Sequence, residues 1–431
     1  MSASGGWHPT PSHVRAVLGG LAGAAGAVLL RRPDLLVIAT PLIVGAVVGQ
    51  LRRPTAPPDV IESVGQTTLR EGQVTTHRVR VADDAAAVDD VTVLFDPTTW
   101  VEQRGPGRLV AGLADDGDDM FHVAIRPSRW GRHRLPAPLV VSASAGNAFR
   151  SEWRDGREPC EILTLPEPAL FDAVAPAVHS PGLVGVNRSP QVGSGTEFAS
   201  IRPFQPGDRL RRVHWPASLR ADRLHVATTY ADHDRHVVLL VDAFEDAGVS
   251  GGIFGTATSL DVELRAAAAI AEHYVRAGDR VSMMTMGARR HRRVPPGVGR
   301  RHLRRLLEVL ATIEPSEALG DDGRVPRGLG SGALVMVVSP LLSAGALQRL
   351  VSISQLGLDV IAIDCLPHDI HEQAGDAQVG IVWRIAVLER ERRLRQVSEA
   401  GIPVVPWSGP GSLDLVLRAL YRRASVRTGA R

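Results

Sequence analysis

Three patterns in this 431-residue chain predict an α/β protein built from an N-terminal transmembrane helical hairpin, a β-sandwich-like domain and a doubly wound parallel sheet. The first is a pair of apolar stretches separated by a charged turn. The second is a series of short β-type runs broken by Gly, Asp and Pro between residues 59 and 165. The third is an alternation of apolar runs and helical-period stripes from 231 to 431.

The hairpin (residues 1–53) rests on Val14 to Leu30 and Leu35 to Leu51, joined by Arg31-Arg32-Pro33-Asp34, with Arg15 the only charge inside either span. Each stretch rises about 25 Å as a helix, slightly short of a ~30 Å hydrocarbon core, so the flanking arginines snorkel. Gly19, Gly23 and Ala27 recur four residues apart, as do Gly45 and Gly49. Small residues so spaced let two helices approach closely. The alternative is a cleaved signal peptide, although the second span would still anchor the product. Arg15, Arg52 and Arg53 stand on one side against Arg31 and Arg32 on the other, which favours a cytoplasmic C-terminal region on a two-span cell-membrane protein.

Pro54-Thr55-Ala56-Pro57-Pro58 reads as a stiff linker. Beyond it, Val74 to Val81 alternates with one slip, Thr76, Arg78 and Arg80 against Val74, His77, Val79 and Val81, and Val91 to Phe95, Phe121 to Ile125 and Leu139 to Val141 are further short strands. Their spacing predicts a small antiparallel sandwich over 59–165, a structural or interaction module. In the C-terminal region, Val237 to Val241 is a doubly buried strand ending at Asp242. Leu264, Ala268, Ala271 and Val275 form a helical stripe, as do Leu303, Leu306, Leu307, Leu310 and Ile313. Strands follow at Val281 to Met286, Leu334 to Val338, Val360 to Ile363 and Val404 to Val405. Later helices lie near Leu347 to Ser354, Ile385 to Ser398 and Leu413 to Arg422.

Composition removes several chemistries. The chain has no lysine, so its 49 cationic side chains are all arginine, and P-loop, Schiff-base and lysine-base mechanisms are excluded. Two cysteines, Cys160 and Cys365, exclude a disulfide scaffold and a multi-cysteine metal site. Few aromatics and a net charge of +3 argue against nucleic acid as a partner. Gly248-Val249-Ser250-Gly251-Gly252 spells a nucleophile elbow, but it sits in a Gly-rich loop past the strand, where the required strand-to-helix turn is missing. His233 and His236 flank a strand start and read as exposed histidines. No catalytic residues and no cofactor are expected.

Residues 193–230 change character. Arg202, Arg209, Arg211, Arg212, Arg220 and Arg223 crowd a segment that also holds Phe198, Phe204 and Trp215, with turns expected at Gly193, Gly195, Pro206 and Gly207. Asp208 is close enough in sequence to hold Arg211 or Arg212, and Glu197 could bind another arginine. Two readings stand: a partner-docking or anion-binding surface, and a charge-braced crossover into a strand over Leu224 to Tyr230. Gly287 to Arg305 is the most basic stretch; its arginines read as a solvated helix face or as a contact for anionic lipid.

Gly195-Thr196-Glu197-Phe198, Ile201-Arg202-Pro203-Phe204, Gly207-Asp208, Arg211 or Arg212, Trp215 and Ser218 to Arg220 together resemble the signature of the domain of unknown function 58 family. Phe204 and Leu219 depart mildly from the tyrosine and small residue more usual there. The resemblance implies a von Willebrand factor A-like domain over 231–431, and a MoxR-type AAA+ ATPase as partner of a membrane-bound protein. A metal-binding domain of that kind carries Asp-x-Ser-x-Ser after its first strand. Here the chain reads Asp242-Ala243-Phe244-Glu245-Asp246, and Ser339 follows the later strand where aspartate is expected, so the metal position at Asp242 is degenerate. The expectation is a non-enzymatic membrane scaffold or adaptor, with Arg202, Asp208, Arg211, Arg212, Trp215 and Arg220 as docking or bracing residues. The alternative is a membrane-bound sensor of an anion or divalent cation.

Overall fold

A computed structural model describes residues 6–82, 88–105, 109–113, 118–154, 159–171, 187–205, 208–233, 236–315, 333–367 and 377–408, with 370, 412 and 414. It forms two compact units, Met1–Leu165 and Pro166–Arg431. The helix expected over Leu413 to Arg422 lies outside the described residues but for Asp414.

In the first unit, helices α1 (Pro11–Leu29) and α2 (Asp34–Leu51) pair, and both are long and apolar enough to cross a membrane. Thr10 starts α1, its hydroxyl accepting from His13 N at 3.3 Å. Small residues set the approach: a Cβ on Gly20 would lie 2.8 Å from Ile43, and one on Gly23 would lie 2.8 Å from Ala39 Cβ. The four-residue spacing over-reads the second helix, however. Gly45 faces open space, and Gly49 lies against His13 and Ala148.

The rest of this unit is β. A five-stranded sheet includes Asp90–Leu94, Leu139–Ser144 and Phe149–Trp153; a four-stranded sheet includes Asp59–Val64, Thr75–Ala82 and Asp118–Pro127; a smaller sheet contains Cys160–Leu165. Val79, Val93, Phe95, Ile125, Val140, Phe149 and Ile162 share one core. The slip falls at Val74, exposed just before the strand Thr75–Ala82, and His77 keeps the alternation. His77 occupies a core-facing position of Thr75–Ala82, where its Nε2 lies 2.7 Å from the equally buried Glu62 carboxylate.

The second unit opens with a long irregular pair, β1 (Asn187–Pro203) and β2 (His225–His233), joined through the short helix α3 (Trp215–Ala221). Then follow β3 (His236–Asp242), α4 (Ser259–Arg276), β4 (Arg280–Met286), β5 (Arg293–Gly297), α5 (Gly299–Leu310), β6 (Leu334–Ser339), α6 (Ala344–Ser354), β7 (Asp359–Asp364), α7 (Ala377–Glu399) and β8 (Val404–Pro406). The strand order is β5-β4-β3-β6-β7-β8. All neighbours are parallel except β5, which runs antiparallel to β4. The all-parallel expectation is corrected there: Arg293–Gly297 turns back onto the edge as a hairpin, and its two prolines suit an edge, where a missing N–H costs no ladder bond.

Both faces of this sheet are buried. Val238, Leu240, Val335 and Val337 cluster with Leu350 and Ile353 of α6 and Val397 of α7, while the alternate residues Val237, Leu239 and Val241 are fully buried beside them. Helix α4 packs on β3, β4 and β6. It begins with a reciprocal capping box in which Thr258 Oγ1 accepts from Asp261 N and Asp261 Oδ2 accepts from Thr258 N.

Candidate functional site

The chain leaves β3 for β4 on one side and takes β6 on the other, so the direction of winding reverses between β3 and β6. Open α/β sheets place ligands in the crevice beyond the carboxyl ends of their strands at such a point. Here that crevice is made by Asp242 and Ser339, which end β3 and β6. The Asp242 carboxylate is buried; its Oδ1 accepts from Phe244 N at 2.9 Å and its Oδ2 from Ser339 Oγ at 2.5 Å. Burial pushes the Asp242 carboxyl up to about 6, against the pull of those two donors.

Phe244 fills the space beside this pair. A Cβ on Gly287, at the end of β4, would fall 2.3 Å from the Phe244 ring, and one on Gly345, in the first turn of α6, would fall 2.9 Å from it. Two glycines thus form the slot into which the ring fits. Asp246, where the second motif serine would stand, instead accepts from Leu260 N at 3.0 Å and braces the start of α4. Among the described residues, no three His, Cys, Asp or Glu side chains are grouped to hold a metal ion.

One functional-looking residue escaped the sequence reading. Glu263 on α4 is fully buried, and neither carboxylate oxygen has a hydrogen-bond partner. Burial first, and the neighbouring Asp242 charge second, push its carboxyl well above the ordinary range. The signal was present: Glu263 stands within the apolar stripe of Leu260, Leu264, Ala267 and Ala271.

Ser250 is a loop brace. Its hydroxyl donates to Asp261 Oδ2 at 2.6 Å and accepts from Gly252 N at 3.2 Å. Nε2 of His236 lies 2.8 Å from Ser282 Oγ, and the side chain of His233 lies outside the described residues. Of the basic stretch, Arg304 pairs with Glu308 along α5, whereas Arg290, Arg300, Arg301 and Arg305 hold no ion pair among the described residues. Cys365 is buried and Cys160 partly so.

The arginine-tryptophan segment is where the structure gathers most of the sequence-selected residues. Gly193 and Gly195, expected in turns, lie inside β1 at its register shifts. Asp208 is held by Arg202, not by Arg211 or Arg212: Nη1 and Nη2 of Arg202 each reach an Asp208 oxygen at 2.7 Å. Arg202 stands next to the end of β1, six residues before Asp208, and Gln205 N also donates to Asp208 Oδ2 at 2.8 Å. The hydrogen bonds from Arg202, then that from Gln205 N, hold the Asp208 carboxyl below its usual range, and Arg202 is correspondingly raised. Replacing Arg202 with alanine is expected to free this turn. Amide exchange at Gln205 should accelerate several-fold while exchange in β3 is unchanged; equal protection in both proteins would show that the fork does not brace the turn.

Most of the remaining members face solvent, with Ser218 buried and Arg212 half-buried. His214 caps α3 through Nδ1, which accepts from Ala217 N, and Ser218 ties the helix to β2 by accepting from His225 N at 2.9 Å. Fixed in this way, α3 presents Trp215 at 63% and Leu219 at 81% exposure, with Leu210 at 71% just before it. Arg209, Arg211, Arg220 and Arg223 in the same segment are exposed and pair with no described residue, whereas Arg212 is half-buried, its charge acting on Asp208. The side chain of Glu197 lies outside the described residues.

Residues 200–379 match the family described as "Protein of unknown function DUF58", which bears out the resemblance drawn from the signature. Similar proteins include "Uncharacterized protein Rv1480" of Mycobacterium tuberculosis and "Uncharacterized protein Mb1516" of Mycobacterium bovis. Each is 31% identical over 128 residues, which is 29% of this chain and 39% of the relative. The chain therefore spans well under half the length of these relatives.

Proposed function

We propose, on the premise of that DUF58 match, that this protein is a non-enzymatic membrane-anchored scaffold whose signature segment docks another protein. The observation that carries it is the exposure of Trp215, Leu219 and Leu210 within one short segment that also exposes Arg209, Arg211, Arg220 and Arg223. An exposed apolar patch is costly to leave in water, and Trp and Arg are the side chains most enriched where binding energy concentrates. The two N-terminal helices supply the anchor, with the bulk of the chain on the cytoplasmic side. The second unit is read as a von Willebrand factor A-like domain whose ligand crevice is filled by Phe244 and which presents surfaces instead of a metal. The partner is a MoxR-type AAA+ ATPase acting in assembly or maturation at the cell envelope, an assignment that comes from the family resemblance alone.

Arg202 and Asp208 are the brace in this reading, and Arg211, Trp215 and Arg220 the contact. Crosslinked affinity capture from native membranes tests it. Wild type should recover an AAA+ ATPase, and Arg211→Ala/Trp215→Ala should lose it roughly thirtyfold, the equivalent of about 2 kcal/mol at a hot spot, at equal expression and thermal stability. Equal recovery by both proteins would make α3 a structural element only. Failure to recover any ATPase where a control complex is captured would remove the partner.

A further inference from the structure

We propose that helix α7 and the carboxyl edge of β7 form a second docking groove, independent of the signature segment, for an acidic amphipathic helix of a partner protein. Side chains of the C-terminal half of α7 tie it to the sheet. Arg390, itself buried, donates from Nε to Pro340 O at 2.7 Å and pairs with Asp364 at the end of β7. Arg393 reaches Leu342 O and Glu389, and Val397 enters the sheet core. The preceding two turns carry Ile381 at 58%, Val382 at 66%, Ile385 at 52% and Leu388 at 64% exposure. Ile381, Ile385 and Leu388 follow i, i+4, i+7 spacing, a continuous apolar stripe with no covering element among the described residues.

Beside this stripe lies a cleft of about 580 Å³, walled by Leu366, Pro367, Trp383 and Val387 and floored by the Asp364–Arg390 pair. Arg384 lines it and pairs with no described residue. An apolar stripe next to a concavity with one unneutralised cation fits a helix that inserts a bulky apolar anchor and lays a carboxylate on Arg384. Arg392 and Arg395, exposed and likewise unpaired among the described residues, lie further along the same helix and with Arg384 outnumber the exposed Glu391 beside them. A bilayer is too flat to fill the cleft.

The test uses the full chain in phosphatidylcholine nanodiscs and two fluorescently labelled, designed amphipathic helices of about 18 residues. They share Leu and Trp on one face and carry Glu or Lys on the other. The Glu peptide should bind, measured by anisotropy, and the Lys peptide should bind at least about tenfold more weakly. Ile385→Asp should abolish binding, and Arg384→Glu should invert the preference between the peptides. Arg211→Ala/Trp215→Ala should bind the Glu peptide as wild type does. All the replaced side chains are exposed, so melting curves should be unchanged. Equal binding of both peptides, or an Arg384→Glu protein that keeps its preference, overturns the proposal. So does self-association that Ile385→Asp dissolves, which would make the groove a contact between copies. Binding to phosphatidylglycerol vesicles lost in Ile385→Asp, without peptide binding, would assign the surface to lipid instead.

Discussion

Gly287→Ala is expected to destabilise the second unit by about 2–5 kcal/mol, far more than a methyl group usually costs. Two effects add. Gly287 has φ +67°, where an L side chain pays roughly 1–2 kcal/mol, and its new Cβ would press into the Phe244 ring at 2.3 Å. Overpacking of that severity costs about 1–3 kcal/mol more, because Gly345 closes the slot from the other side and the ring has nowhere to move. The two are separable by denaturant unfolding of the four proteins in a double-mutant cycle. In a Phe244→Ala background the steric part vanishes, and Gly287→Ala should cost only the backbone part. An identical cost in both backgrounds would show that the ring does not occupy the crevice. The outcome bears on function, since this ring sits where a sheet of this topology would receive a ligand.

Much of this architecture could be read from the chain. Runs such as Val237 to Val241 and Leu334 to Val338 have only one environment open to them, a strand covered on both faces, and both end at polar residues that cap the crevice. The leucines of α5 repeat at 3.6-residue spacing and are buried as that period requires. Local spacing failed wherever a contact joined distant residues. Phe244 reads as a lost serine, yet its significance lies in Gly287 and Gly345, which are 43 and 101 residues further on. Glu263 reads as an ordinary helical glutamate unless its place in the apolar stripe is noticed. Asp208 has several arginines within reach in sequence, and only the folded chain selects Arg202. The exposed apolar stripe of α7 was equally hidden, since periodicity shows that a helix has an apolar face and not whether anything covers it.

The buried acids Asp242 and Glu263 should make the second unit lose stability as pH rises, opposite to the usual acid unfolding. Asp242 ionises at about 6 in the fold against 3.8 as an ordinary aspartate, so the folded state holds a proton that the unfolded chain releases. A carboxyl raised in this way contributes its full stability below pH ~4 and loses it as pH climbs through about 6; a shift of that size corresponds to about 3 kcal/mol. Glu263 is displaced in the same direction and should add to the decline. Asp208 works with the opposite sign: its lowered value adds stability that disappears only as pH falls below the ordinary carboxylate range, outside the Asp242 window. Denaturant unfolding at intervals between pH 4 and 8 should therefore show a falling curve in wild type. Asp242→Asn should flatten the part from pH 4 to 6 while keeping an oxygen acceptor for Phe244 N, its amide nitrogen turned to donate to Ser339 Oγ, and Glu263→Gln should lessen whatever decline remains. Stability that increases steadily from pH 4 to 7 would mean that both carboxyls find water or cations in solution, and that the crevice behind Phe244 is open.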